Sequence, residues 1–245
     1  MNVLVIGING LMGQTLVKDL EAFNIDYQGI DPKTIHSIDD FKTKHTVDVI
    51  IDFSHPDIYP LLLEYAINEQ TPLVIGTTGL SDAINHSIQN ASQAIPIFQS
   101  ANMSYGVNLL NQILKDYMKA LEDGYDIEIL EKHHNQKIDA PSGTALLLKE
   151  SMESSSNKTY QTTYDRSKTR NKRTPNEIGV HALRGGNIVG DHTVIFAGEN
   201  DQLMFTHHAQ SKHLFTKGAI KAAQYIIQKN PGLYSMETLI KESRG

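Results

Sequence analysis

Gly7-Ile8-Asn9-Gly10-Leu11-Met12-Gly13 lies between an apolar run at residues 3–7 and a stretch at 11–23 whose Leu11, Met12, Leu16, Leu20 and Phe23 make one amphipathic helix face. A strand, a glycine turn and a helix in that order can hold a dinucleotide. Glycines permit a tight turn and close backbone approach, and the helix N-terminus attracts the pyrophosphate. The spacing is GxxGxxG rather than the commoner GxGxxG, so context must carry part of the argument. A second strand at 25–30 leads into Asp31, 18 residues past Gly13, near the place of the acid that binds an adenosine ribose. The plainer alternative is a strand–helix turn with Asp31 capping a loop. Asp31 favours a free 2′-hydroxyl, hence NADH. Lys33 offsets repulsion of a 2′-phosphate, so NADPH stays open as well.

Outward from this loop, short apolar runs at 48–53, 73–76 and 95–99 alternate with helical patterns at 58–68 and 83–92. That alternation predicts a parallel sheet covered by helices on both faces, a Rossmann-type doubly wound α/β arrangement. Gly76-Thr77-Thr78-Gly79 and Ser100-Ala101-Asn102-Met103 follow two of the strands. Ligands of open α/β sheets bind outside the carboxyl ends of strands, which points both loops toward the nicotinamide half of a cofactor.

The pattern changes after Asn102. A helix over 105–121 precedes a strand over 126–131, a polar stretch over 133–139 and a helix opened by Pro141-Ser142-Gly143. Residues 151–177 are polar and aperiodic and read as mostly a surface excursion. Three apolar runs without intervening helices, at 178–183, 193–197 and 202–207, predict a mixed sheet in an α+β domain. A helix over 213–227 and a short helix after Pro231-Gly232 close the chain. The basic run Lys168-Thr-Arg170-Asn-Lys172-Arg173 has no apolar face, so a solvated loop is expected.

Composition narrows the chemistry. The 245 residues carry a formal charge of -6, which repels a duplex phosphate backbone on average and argues against nucleic acid. There are no cysteines, so disulfides, thiolate nucleophiles, thioester chemistry and Cys-based zinc sites are excluded. No apolar run is long enough to cross a bilayer, and the first residues enter a strand without the apolar core of a signal peptide. A cytoplasmic location is expected.

The chemistry is expected in Glu128-Ile-Leu-Glu131-Lys-His133-His134-Asn-Gln-Lys137-Ile-Asp139-Ala-Pro141-Ser142-Gly143-Thr144-Ala145. His133, His134 and Lys137 form a cationic cluster just before the backbone N–H groups of Ser142–Thr144 at a helix start. Such a cluster suits a small substrate bearing carboxylates. Helix amides and the Thr144 hydroxyl would hold one carboxylate, and His134 or Lys137 the other. That leaves His133 to act as general acid. The alternative is a histidine pair on a solvated strand end. A metal site made of His133 and His134 is disfavoured, because adjacent strand residues point to opposite faces.

This segment resembles the signature of the 4-hydroxy-tetrahydrodipicolinate reductase (dihydrodipicolinate reductase) family, approximately E-I-x-E-x-H-H-x-x-K-x-D-x-P-S-G-T-A, with every specified position met. Further landmarks are Asp52-Phe53-Ser54, Asn102 with Ser104, Arg184-Gly185-Gly186, Val189-Gly190-Asp191-His192 and Phe215 with Gly218-Ala219. The resemblance implies a dinucleotide-binding domain at 1–103 completed by 213–245, with a substrate-binding and tetramerisation domain at 104–212. It implies His133 as proton donor, Lys137 as a second acid or orienting cation, and His134, Gly143 and Thr144 as substrate contacts. Its cofactor positions fall on Gly7, Ile8, Asn9, Gly10, Leu11, Met12, Asp31, Gly76, Thr77, Thr78, Ser100, Ala101, Asn102 and Met103. The implied activity is NADPH- or NADH-dependent reduction of a cyclic imine dicarboxylate in lysine and diaminopimelate biosynthesis, by a homotetramer that needs no metal. Leu11 and Lys212 stand where many relatives carry arginine. Lysine is a point charge rather than a fork, so Lys212 does not supply bidentate carboxylate binding.

Overall fold

The structure is a computed structural model that describes residues 1–168 and 170–243. It contains two compact units, Met1–Tyr105 with Lys212–Gly245, and Gly106–Ser211.

The first unit is built on six parallel strands. They are β1 (Asn2–Ile6), β2 (Asp26–Ile30), β3 (Val49–Asp52), β4 (Leu73–Ile75), β5 (Pro96–Gln99) and a late strand, Gly232–Tyr234. The helices between them are α1 (Leu11–Ala22), α2 (Tyr59–Asn68) and α3 (Asp82–Ala91). Residues 3–6 are fully buried because strand side chains alternate between two covered faces. Leu4 and Ile6 pack with Leu62, Leu63, Ala66 and Ile88 of α2 and α3. Val3 and Val5 pack with Leu16 and Leu20 of α1 and with Ala219, Ile220, Ala223 and Ile226 of a late helix, His213–Ile226. The doubly wound parallel sheet expected from the sequence is present.

The second unit opens with α4 (Tyr105–Leu121), then β6 (Asp126–His133), α5 (Gly143–Ser155), β7 (Gln161–Thr163), β8 (Glu177–Arg184), β9 (Gly190–Ala197) and β10 (Gln202–Ala209). In chain order the late helix of the first unit is then α6, the strand Gly232–Tyr234 is β11, and Met236–Glu242 is α7. The second sheet has the order β10-β9-β6-β8-β7. It is mixed, with β6 parallel to β8 and antiparallel to β9. Leu110, Leu114 and Met118 of α4 and Leu148 and Met152 of α5 cover the face formed by Ile127, Ile129, Val180, Val194 and Phe196.

Two expectations need correction, and a third gains detail. The stretch after Pro231-Gly232 begins as a strand, and Leu233 pairs with Ile97 of β5 before the helix starts at Met236. The polar stretch 151–177 lies mostly at the surface, as expected, and among its described residues only Ser151, Met152 and Glu177 are buried. It starts inside α5, with Met152 fully buried, and supplies edge strand β7. Arg173, the last residue of the basic run, is not solvated. Its guanidinium binds Asp126 Oδ1 at 2.5 Å and the carbonyls of Ile127 and Glu177 at 3.0 and 2.5 Å. Both carbonyls lie at the starts of inner strands, β6 and β8, and this arginine supplies them a donor.

Candidate active site

The alternation along β6 decides what its side chains can do. Ile127, Ile129, Glu131 and His133 are all buried, whereas Glu128, Leu130 and Lys132 are only half-buried. Period-two geometry therefore carries Glu131 and His133 into the protein on the same face as two isoleucines. Glu131 is 0% exposed. A buried carboxylate is tolerated only with charge and hydrogen-bond partners, and this one has four bonds. Arg184 donates Nη1 to Oε2 and Nη2 to Oε1, each at 2.8 Å, in a bidentate fork. Nδ1 of His133 meets Oε2 at 2.6 Å, and the amide of Ser142 donates to Oε1 at 3.0 Å. Burial alone would raise the Glu131 carboxyl, but the Arg184 fork and the other donors outweigh it and hold it below the usual carboxylate range. The parallel register His133↔Arg184 between β6 and β8 brings the fork into place.

The same carboxylate thus ties His133 to the start of α5. Ser142 caps that helix, its hydroxyl accepting from the amide of Ala145 at 3.2 Å. The hydroxyl also meets Nε2 of His192 at 2.8 Å, and the His192 ring lies edge-on to His133 with centroids 5.2 Å apart. Burial, with His133 beside it, pushes the His192 imidazole down to about 4, so this ring is neutral at physiological pH. Its Nδ1 has no hydrogen-bond partner among the described residues.

The helix start is not as open as its sequence suggested, since the Ser142 amide belongs to Glu131. Gly143 follows it at the first helical position, exposed, and a Cβ there would meet nothing within 4 Å. Thr144 is half-buried one residue on. His134 is half-buried just past the end of β6. Lys137 donates Nζ to Asp139 Oδ1 at 2.7 Å, and the Asp139 side chain is 58% exposed. In place of an open cationic cluster, two basic groups each face an acid: the His133 ring against Glu131 and the Lys137 ammonium against Asp139.

The glycine loop of the first unit has room for a nucleotide. Gly7 sits at φ +88°, a conformation that favours glycine, and a Cβ there would collide with the Phe53 carbonyl. A cavity of about 650 Å³ opens beside it, lined by Gly7, Asn9, Gly10, Asp31, Lys33 and the ring of Phe53 among others. Asp31 accepts from Asn9 Nδ2 at 2.6 Å and from the Lys33 amide at 3.0 Å, which holds its carboxyl below the usual range. Ile8 packs on the core, Leu11 is 62% exposed and Met12 half-buried, and none of the three lines this cavity.

A second cavity of about 540 Å³ is lined by Thr77, Thr78, Gly79, Ser100 and Ala101, by Leu233 and Tyr234 of β11, and by Ser235, which caps α7. Gly76 packs against the Phe53 ring instead, as a Cβ there would strike it. Asn102 accepts the Ser104 amide at 2.8 Å through its side chain, and Met103 is 3% exposed in the core. Behind both loops lies Asp52, fully buried at the end of β3 and bonded by the hydroxyls of Tyr59 and Thr77 at 2.7 Å each and by that of Ser54.

Glu131, Arg184, His192 and Asp52 had no assigned part in the sequence reading. The I-x-I-x-E-x-H alternation was the available signal for Glu131. Arg184 and His192 fall in stretches that resemble family landmarks, but nothing local gave them a role, because they reach the site only through sheet register.

Among known proteins, residues 1–103 match the family described as "Dihydrodipicolinate reductase, N-terminus" and residues 106–240 the one described as "Dihydrodipicolinate reductase, C-terminus". The 4-hydroxy-tetrahydrodipicolinate reductase of Exiguobacterium sibiricum is 54% identical over 194 residues, 79% of this chain and 77% of that protein. The enzyme of the same name from Caldanaerobacter subterraneus subsp. tengcongensis is 45% identical over 245 residues, 96% of each chain. A dipicolinate-bound dihydrodipicolinate reductase from Paenisporosarcina sp. TG-14 shares the fold, with a TM-score of 0.76 at 20% identity, covering 96% of this chain and 97% of that one. The chain belongs to the 4-hydroxy-tetrahydrodipicolinate reductase (dihydrodipicolinate reductase) family of nicotinamide-dependent oxidoreductases.

Proposed function

We propose that the chain reduces a cyclic imine dicarboxylate, the dihydrodipicolinate-type intermediate, to tetrahydrodipicolinate in lysine and diaminopimelate biosynthesis, with His133 as proton donor. One observation carries this reading. A single buried carboxylate holds both Nδ1 of His133 and the amide that begins α5. A proton-bearing ring and a helix amino end are thereby kept together, which suits an anionic substrate that gains negative charge as it is reduced.

Loss of the ring hydroxyl as water leaves a conjugated imine diacid. A nicotinamide bound by the first unit would supply a hydride, and its acceptor is the ring carbon β to the imine carbon, at the far end of the conjugated C=C–C=N system. The electron pair moves toward nitrogen or the adjoining carbon, and His133 delivers the proton that neutralises it. Gly143 and Thr144 receive one carboxylate at the start of α5. The Asp139 end of the Lys137–Asp139 pair is exposed, and surface pairs are worth only about 0–1 kcal/mol, so the ammonium can turn to the other carboxylate with His134 beside it. Dipicolinate, the molecule bound by the Paenisporosarcina enzyme, is a ring diacid of this class.

For the cofactor, Gly7, Asn9, Gly10 and Asp31 would hold the adenosine half, and Thr77, Thr78, Ser100 and Ala101 the nicotinamide half. The first cavity offers a ribose acceptor, Asp31, and a cation for a 2′-phosphate, Lys33. Both NADH and NADPH are therefore substrates in this reading. A homotetramer in the cytoplasm completes it.

The test couples the purified chain to dihydrodipicolinate synthase and its two substrates and follows loss of nicotinamide absorbance with NADPH and with NADH. No loss with either would defeat the proposal. His133→Gln should lower kcat by about 10²–10⁴ with cofactor affinity unchanged, the usual scale of general acid catalysis. Full activity in that variant would remove His133 from the mechanism.

A further inference from the structure

Glu131 follows Ile127 and Ile129 on one buried face, where another aliphatic residue would pack at no electrostatic cost. Replacing a buried ion pair by apolar residues is often neutral or stabilising, so stability alone does not account for a carboxylate there. Its bonds show what it can do. Oε1 is taken by Arg184 Nη2 and the Ser142 amide, Oε2 by Arg184 Nη1 and His133 Nδ1. Two carboxylate oxygens offer about four acceptor sites, and all are used. Glu131 is fully buried besides, so it does not itself contact substrate.

An ionised carboxylate only accepts. Nδ1 of His133 must therefore carry a hydrogen in both protonation states of the ring, and the exchangeable proton is left to Nε2. That nitrogen lies on the ring edge beside Gly190, where an added Cβ would stand 2.9 Å away. We propose that Glu131, clamped by Arg184, is a positioning residue that fixes the tautomer and orientation of His133 and so commits Nε2 to the proton transfer. The inference rests on His133 being the proton donor. It separates the two histidines of the pocket by role: His133 is held by a charge, whereas His192 is held by the Ser142 hydroxyl. Nitrogen-15 spectra of the native protein, read where His133 is neutral, should show the Nδ1–H form. Finding the hydrogen on Nε2 would overturn the proposal without any variant.

The second arm is Glu131→Gln, an isostere that can turn an N–H toward Nδ1 and invert the tautomer. It should lower kcat by about 10²-fold while changing KM by less than about threefold, the pattern of a lost transition-state contribution. Combined with His133→Gln, the same change should cost almost nothing further, because Glu131 acts through that ring. Equal losses in the native and His133→Gln backgrounds would show a merely structural role and overturn the inference. If His133→Gln alone retains full turnover, the reading of His133 fails. If His133→Gln is inactive while Glu131→Gln works normally, only the positioning role fails.

Discussion

Among the described residues each unit buries one carboxylate completely, and the two are treated in opposite ways. Asp52, at the end of β3, is surrounded by the hydroxyls of Ser54, Tyr59 and Thr77. Burial pushes its carboxyl up, and the hydroxyl bonds only partly offset that. Glu131, on β6, is gripped by a guanidinium and held low. Neutral donors that rotate can fasten loops together whether or not the acid is charged. Thr77 shows this: it donates to Asp52 and accepts from the Ser54 amide at 2.9 Å, joining the loops after β4 and β3. A charged fork instead keeps the acid ionised and in one orientation, which a site that aims a histidine requires.

The comparison can be broken at Arg184, where the largest stability effect is expected. Arg184→Met should destabilise the second unit by about 3–5 kcal/mol, because it leaves an uncompensated buried charge. Urea unfolding would measure it. A loss near zero would mean that Glu131 takes up a proton cheaply, and the contrast with Asp52 would collapse.

A pH experiment sharpens the same contrast through His192, which shares the polar pocket with Glu131. Its native imidazole titrates at about 4, against about 6.5 in an unfolded chain. Between those values the unfolded chain binds a proton that the native one refuses, so stability falls as pH drops through 6.5 and levels near 4. The loss should approach about 3 kcal/mol. His207 is also pushed down by burial, so the difference between the native chain and His192→Gln, measured at pH 7 and pH 5, isolates this contribution. Equal slopes in the two proteins would contradict it.

The smallest effect belongs to Asp52→Asn. The amide keeps one acceptor oxygen, and the surrounding hydroxyls can turn to accept from its new N–H groups. The expected cost is about 1 kcal/mol, well under that of Arg184→Met. A thermal melt suffices, and a cost equal to that of Arg184→Met would show that Asp52 also depends on its charge.

Much of the architecture was readable before any coordinates, because it follows from local periodicity. The glycine loop, the alternation of strand and helix to residue 99, and the change to a mixed sheet after residue 102 all appear in the structure. What was missed lacked a local signal. β11 has only three residues directly after Pro231, and it is a strand because β5, more than a hundred residues earlier, offers a parallel edge. Arg173 sat in a run of polar neighbours that predicted solvent, and the carbonyls that bind it belong to β6 and β8. Cofactor-loop residues divided similarly. Gly7, Asn9, Gly10 and Asp31 share one cavity, while Met103 turned into the core beneath Gly218.

The sequence by itself determined which elements form and which chemical groups are available, since turns, periodicity and side-chain type are properties of short stretches. The His-His…Lys…Pro-Ser-Gly-Thr segment is contiguous, so its place beside a helix start was legible at once. Only the tertiary structure decided how those groups are held. The fork of Arg184 on Glu131 joins residues 53 apart in sequence, and the pairing of His192 with Ser142 joins residues 50 apart. Both depend on the register of β6 against β8 and β9, which long-range burial sets and no local pattern encodes.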